Sequence, residues 1–194
     1  MQQNLKSMKQ ILFIFLFTTF VSEAQNQDCI YDVNEKTDST ALKVTPQKLV
    51  HERIFGNSKE FIFFNLLNES GTPMLVVQQI QKNNAFIPVN CIDKKTKIVF
   101  QLANGKIVTL IHSDFETCSQ LNYDSETKDN IRILTGYFYF TQSNYEELSK
   151  SPISLMRIQF VGETKDYVIQ TEYFSETFVT KTNPTNYFVD YLKC

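Results

Sequence analysis

Short apolar runs separated by turn-forming residues recur along the chain. The clearest is Lys97 to His112, Lys-Ile-Val-Phe-Gln-Leu-Ala-Asn-Gly-Lys-Ile-Val-Thr-Leu-Ile-His. Asn104-Gly105 suits the two positive φ angles of a type I′ turn, and β-branched and apolar residues flank it on both sides. The stretch therefore predicts a β-hairpin closed by a two-residue loop. That loop sets Leu102 opposite Ile107, Phe100 opposite Thr109 and Ile98 opposite Ile111, a nearly continuous apolar face suited to a core. Carried outward, the same register sets Cys91 opposite Cys118. Arms of that length are rarely uninterrupted, so a bulge or corner is expected near Asp93 or Asp114.

Other strands follow from the same reasoning. Leu42 to Thr45 alternates and is limited by Pro46. Glu60 to Leu67 has the length of a buried strand, and beyond the Asn68 to Pro73 loop Met74 to Gln81 reads as its hairpin partner. Phe86 to Ile92 predicts a short strand at an edge or bulge, because Pro88 cannot donate to a ladder. Ile131 to Thr141 is a long strand with Tyr137 and Tyr139 on one side and Phe138 and Phe140 on the other. Ile153 to Val161, with Met156, Ile158 and Phe160 on one face, turns at Gly162-Glu163 and pairs with Tyr167 to Tyr173. Cys29 to Ala41 and Asn122 to Asn130 are polar and read as surface loops.

Two short helices complete the pattern. Ser143 to Lys150 begins with a capping box from Ser143 or Asn144 and is stopped by Pro152. Thr185 to Lys193 follows an Asn183 cap and Pro184 at the first helical position. Tyr187, Phe188, Tyr191 and Leu192 share one face, which would pack on the sheet and deliver Cys194. The expected fold is mainly β, α+β by count: an antiparallel meander of eight or nine strands forming a barrel or a two-layer sandwich, with a mid-chain and a C-terminal helix.

The ends of the chain add a location. Lys6 and Lys9 precede an apolar run from Ile11 to Val21, and Ser22 and Ala24 supply the small residues of a cleavage site, so residues 1–24 predict a secretory signal peptide cut before Gln25. The run is too short to span a membrane, which needs about 20 apolar residues, and no stable membrane insertion is expected after cleavage. Residues 25–194 then form a single β-rich domain. Removing Lys6, Lys9 and Glu23 takes the 19 basic and 21 acidic residues to 17 and 20, a net charge of −3. With cations scattered and arginine only at 53, 132 and 157, no basic stripe exists and nucleic acid is not an expected partner. Composition rich in Phe, Asn and Lys fits an exported protein, secreted or periplasmic, from an AT-rich bacterial genome.

Cysteine usage agrees with export. Cys29, Cys91, Cys118 and Cys194 all survive cleavage, and an even number in an oxidising compartment implies disulfides. The hairpin register selects Cys91 with Cys118, which leaves Cys29 for Cys194 and ties one end of the mature chain to the other. On the chain-entropy account the two loops contribute roughly 3.5 and 5 kcal/mol.

Candidate chemistry is sparse. Neither Gly-x-Ser-x-Gly nor His-Glu-x-x-His occurs, and no cofactor is implied. His112, Asp114 and Glu116 alternate on a strand and are the best metal candidates, though they need a further ligand that nothing identifies. The acidic residues between Asp124 and Asp129 lack the glycine and terminal glutamate of a calcium loop. Tyr137 and Tyr139 form an aromatic face able to contact a protein or a glycan. The function expected from these features is an exported non-catalytic binding or interaction domain. The alternatives are a barrel holding a small apolar ligand and an exported hydrolase with a metal near His112.

Overall fold

The computed structural model describes residues 29–194, and the predicted signal peptide with its cleavage point lies outside them. The fold is mainly antiparallel β. Its strands are β1 (Val33–Lys36), β2 (Ala41–Val44), β3 (Lys48–Phe55), β4 (Ser58–Glu69), β5 (Thr72–Asn83), β6 (Cys91–Ile92), β7 (Lys97–Leu102) and β8 (Ile107–His112). They continue with β9 (Thr117–Cys118), β10 (Gln120–Asp124), β11 (Asp129–Tyr139), β12 (Ile153–Gln159), β13 (Thr164–Val168), β14 (Tyr173–Ser175) and β15 (Thr180–Thr182). Helices run over Gln142–Leu148 and Tyr187–Tyr191, the second entered through a 3-10 turn at Pro184–Asn186.

The main sheet has the order β1-β2-β4-β5-β11-β8-β7-β12-β13. β3 shares the β4 edge with β2, and β10 shares the β11 edge with β8. Pro46 explains the first division, because it interrupts the ladder between Val44 and Lys48. The sheet curls so that β12 and β13 face β3 to β5, a sandwich-like arrangement in which Tyr167 of β13 reaches Glu60 of β4. Among the described residues its two ends do not join: β13 pairs only with β12, and β3 only with β4.

The enclosed face is apolar at one end and polar at the other. Ile62, Phe64, Val77, Phe100, Phe138 and Met156 fill the apolar end, and the C-terminal helix plugs it. Phe188 packs against Phe64 and Phe100 with ring centroids 5.9 and 5.1 Å away. Tyr187, Phe188 and Leu192 are buried and Tyr191 is partly so, as the helical face predicts. The disulfide from Cys194 to Cys29 follows directly, with Tyr31 donating to the Cys194 carbonyl nearby.

The central hairpin forms, but its register differs from the expected one. Only Gly105 takes positive φ, at 83°. Gly105 N–H donates to the Leu102 carbonyl and Leu102 N–H to the Lys106 carbonyl, both at 2.9 Å. Ala103-Asn104-Gly105 is thus a three-residue loop with glycine at the left-handed position. The pairs become Ile98 with Leu110 and Phe100 with Val108. A slip of one residue moves a whole arm to the other face. Val108, Leu110 and His112 therefore point inward, whereas Ile107 and Ile111 are 61% and 50% exposed.

Cys91 nevertheless pairs with Cys118 and bonds to it. The second arm carries one residue more than the first between the Lys97–Ile111 and Ile92–Thr117 pairs, and this corner offsets the slip at the turn. The bulge expected near Asp114 is what preserves the disulfide.

Other differences have local causes. Residues expected to be a surface loop around Val33 pair with β2 instead. The polar Asn122 to Asn130 segment is a hairpin, because Asp124 accepts from Glu126 N–H and Thr127 N–H and so closes the turn itself. Phe86 to Asn90 is irregular and only Cys91–Ile92 is strand. The mid-chain helix is capped by Thr141, whose side chain accepts from Asn144 N–H. The partner of β12 is Thr164–Val168, earlier in the chain than the predicted Tyr167 to Tyr173.

Candidate functional site: a polar cleft at the open seam

The polar end of the enclosed face is built by alternation. On β4, Phe64, Ile62 and Glu60 share the inward side, so Glu60 lies about 13 Å from Phe64 along the strand. On β5 the same parity takes Val77 to Gln79 and Gln81, which oppose Phe64, Ile62 and Glu60. A bulge at Leu49–His51 on β3 turns His51 inward next to the core residue Val50. β13 adds Lys165 and Tyr167, opposite Ile158 and Met156.

These side chains form one hydrogen-bonded cluster. Glu60 accepts from Gln79 Nε2 at 2.6 Å and from the Tyr167 hydroxyl at 3.2 Å, and Gln79 Nε2 is also 3.3 Å from the Tyr167 oxygen. The His51 ring meets Tyr167 edge-on at 4.9 Å. Asn90 lies against the same group: its amide donates to Gln79 Oε1 at 3.1 Å in one orientation, and in the other donates to Glu163 at 2.8 Å and accepts from Lys165 at 3.3 Å. Burial pushes the Tyr167 hydroxyl far above its ordinary range, with the Glu60 charge acting in the same direction. Burial likewise holds His51 below its ordinary value of 6.5, outweighing the attraction of Glu60.

Above this floor is a cleft of about 580 Å³ between β3 and β13, lined by His51, Glu52 and Arg53 on one side and Lys165 to Val168 on the other. Phe86, Ile87 and Pro88 border one end, where Arg132 holds the segment by donating to the Ile87 carbonyl at 2.8 Å and to the Ser119 carbonyl at 3.0 Å. Three charges along the lining are matched. Asp166 makes a two-pronged contact with Arg157, Lys82 lies 3.9 Å from Asp124 and from Asp129, and Lys165 lies 3.0 Å from Glu163. Arg53 and Lys59 have no carboxylate within 4 Å among the described residues. The chemistry on offer is a fixed carboxylate, amide and phenol in the floor, with two cations, Arg53 and Lys59, and a second carboxylate, Glu52, left without ion-pair partners along the lining among the described residues.

The residues singled out from sequence lie elsewhere. His112 is 3% exposed and packs on Phe138 with ring centroids 5.2 Å apart, while Asp114 and Glu116 point to solvent beyond the strand end. The three do not converge, and among the described residues no group of three His, Cys, Asp or Glu side chains is placed to hold a metal. Tyr137 and Tyr139 stand on the outer face of β11, 41% and 43% exposed, with Phe138 buried behind them. Tyr139 opposes Ile111 across the sheet. The cleft residues were not anticipated as a site; the readable signal was the inward parity of β5, which passes from Val77 to Gln79 and Gln81, polar where a core strand should stay apolar.

The four cysteines form two disulfides, with no free thiol, the pattern of an oxidising, extracytoplasmic compartment. Among the described residues no helix is long and apolar enough to cross a membrane. No protein-family model matches the chain, and no curated protein or solved structure is significantly similar to it.

Proposed function

We infer that the chain is an exported, non-catalytic binding domain, secreted or periplasmic in a bacterium, and that its ligand occupies the cleft between β3 and β13. The observation that carries this reading is the cleft itself: about 580 Å³, within the range of ligand sites, with fixed polar groups in its floor. The space between Val77, Ile98, Leu134, Phe138 and Ile158 is about 10 Å³, one water at most, so a buried apolar ligand finds no support. The hydrolase reading loses its motivation with the burial of His112 away from Asp114 and Glu116.

Two-dimensional ¹H–¹⁵N NMR with a library of small polar compounds tests the assignment. Shift changes clustered on His51, Glu60, Lys165 and Tyr167 support it, and Glu60→Gln should weaken them. Changes clustered on the strand carrying Tyr137 and Tyr139 would move the working surface to the outer face. That second reading, contact with a protein or glycan, rests on the exposure of those two tyrosines beside Ile111.

A further inference from the structure

The cleft separates two strand edges that have no strand partner among the described residues, and this decides what kind of ligand fits it. Gly56-Asn57, with Gly56 at φ 57°, closes the β3–β4 hairpin as a two-residue loop, making Phe55 and Ser58 a hydrogen-bonded pair. Bonded pairs alternate along an antiparallel ladder, so Arg53 also bonds to β4 and the main-chain groups of Glu52 and Ile54 point into the cleft. On the other side, Ile169 N–H donates to the Ser154 carbonyl. By the same alternation Tyr167 and Lys165 bond to β12, whereas the N–H and C=O groups of Asp166 and Val168 face the cleft.

Beside the cations of the cleft lining the two edges carry exposed apolar side chains, where a soluble edge is usually protected. Val168 is 71% and Ile54 50% exposed, one on each side of the cleft. Thr182 covers one end of the β3 edge by donating to the Leu49 carbonyl at 2.7 Å, which leaves the segment from Glu52 to Phe55 open.

We propose that the cleft binds an extended peptide, which adds as a strand to the free edge of β13 and alternates acidic with apolar side chains. This rests on the reading of the cleft as the binding site and names its ligand class. Backbone groups of Asp166 and Val168 supply the main-chain hydrogen bonds. Acidic side chains turn inward to Arg53, which stands opposite Glu60 on β4 and has no carboxylate within 4 Å among the described residues. Apolar side chains turn outward, between Val168 and Ile54.

The test is fluorescence anisotropy of the disulfide-bonded mature chain with a dye-labelled eight-residue peptide alternating Val and Glu. Two analogues carry backbone N-methyl groups, on the Val nitrogens or on the Glu nitrogens, and a third has Lys in place of Glu. Saturable binding is expected, lost in the Lys peptide and weakened about tenfold or more by N-methylation in one of the two phases, since one to two hydrogen bonds are removed. Val168→Pro removes an outward N–H without breaking a bond to β12, so it should weaken binding similarly while the unfolding midpoint stays within a few degrees. Equal binding of both N-methyl analogues overturns strand addition and leaves the cleft reading standing. Unchanged binding by Arg53→Glu overturns the cleft reading as well, and no saturable binding of the Val-Glu peptide overturns the proposal outright.

Discussion

Glu60 is a nearly buried carboxylate whose position depends on two donors, Gln79 and Tyr167. Tyr167→Phe removes one of them and leaves the Glu60 and Gln79 groups under-satisfied in a place with little water. The expected cost is about 1–2 kcal/mol, measured by urea unfolding, with no loss of disulfides. The histidines set the pH response. Burial lowers both His51 and His112 from 6.5, so the unfolded chain binds protons that the folded chain refuses. Their contribution to stability is therefore fully present above the unfolded value and is lost as pH falls below it. The thermal midpoint should drop between pH 7.5 and pH 5.5, before most carboxylates titrate, and His112→Phe, which keeps an aromatic ring against Phe138, should flatten that drop.

Among the elements, the central hairpin is the sharpest comparison between sequence and structure. Its two strands and the place of its turn were legible from β-branched runs around Asn104-Gly105, but the turn has three residues where two were expected. Which face is buried was not legible, because Ile107-Val-Thr-Leu-Ile is apolar on both parities and only the turn type chooses between them. Point variants separate the two turns. With Gly105 at φ 83°, Gly105→Ala should cost about 1–2 kcal/mol. Asn104→Ala should cost less, because Asn104 loses only an exposed hydrogen bond from Lys106 N–H. Equal costs in urea titrations would favour the two-residue turn.

For the whole molecule, a sheet that curls without joining creates both the apolar interior and the open seam. The bond between Cys29 and Cys194 closes a loop of 165 residues. Replacing both cysteines by serine should lower stability by about 2–5 kcal/mol, read from the urea midpoint at unchanged slope. The fold class and the presence of two disulfides could be read from local periodicity and cysteine count, whereas the pairing of Cys91 with Cys118 was reached through a register one residue off and holds because the corner offsets it. Of the cleft only the passage of β5 to polar residues at Gln79 and Gln81 was readable, since His51, Glu60, Asn90 and Tyr167 are spread over more than a hundred positions and each taken singly resembles an ordinary solvent-facing residue of a strand or loop.

Hydrogen exchange at single-residue resolution, with and without the alternating Val-Glu peptide, tests the open seam most directly. The predicted result is slower exchange at the Asp166 and Val168 amides, whose donors gain a partner, with Tyr167 unchanged because it is already bonded to β12. Uniform exchange across 164–168 on saturation, or protection confined to the strand bearing Tyr137 and Tyr139, would contradict the account.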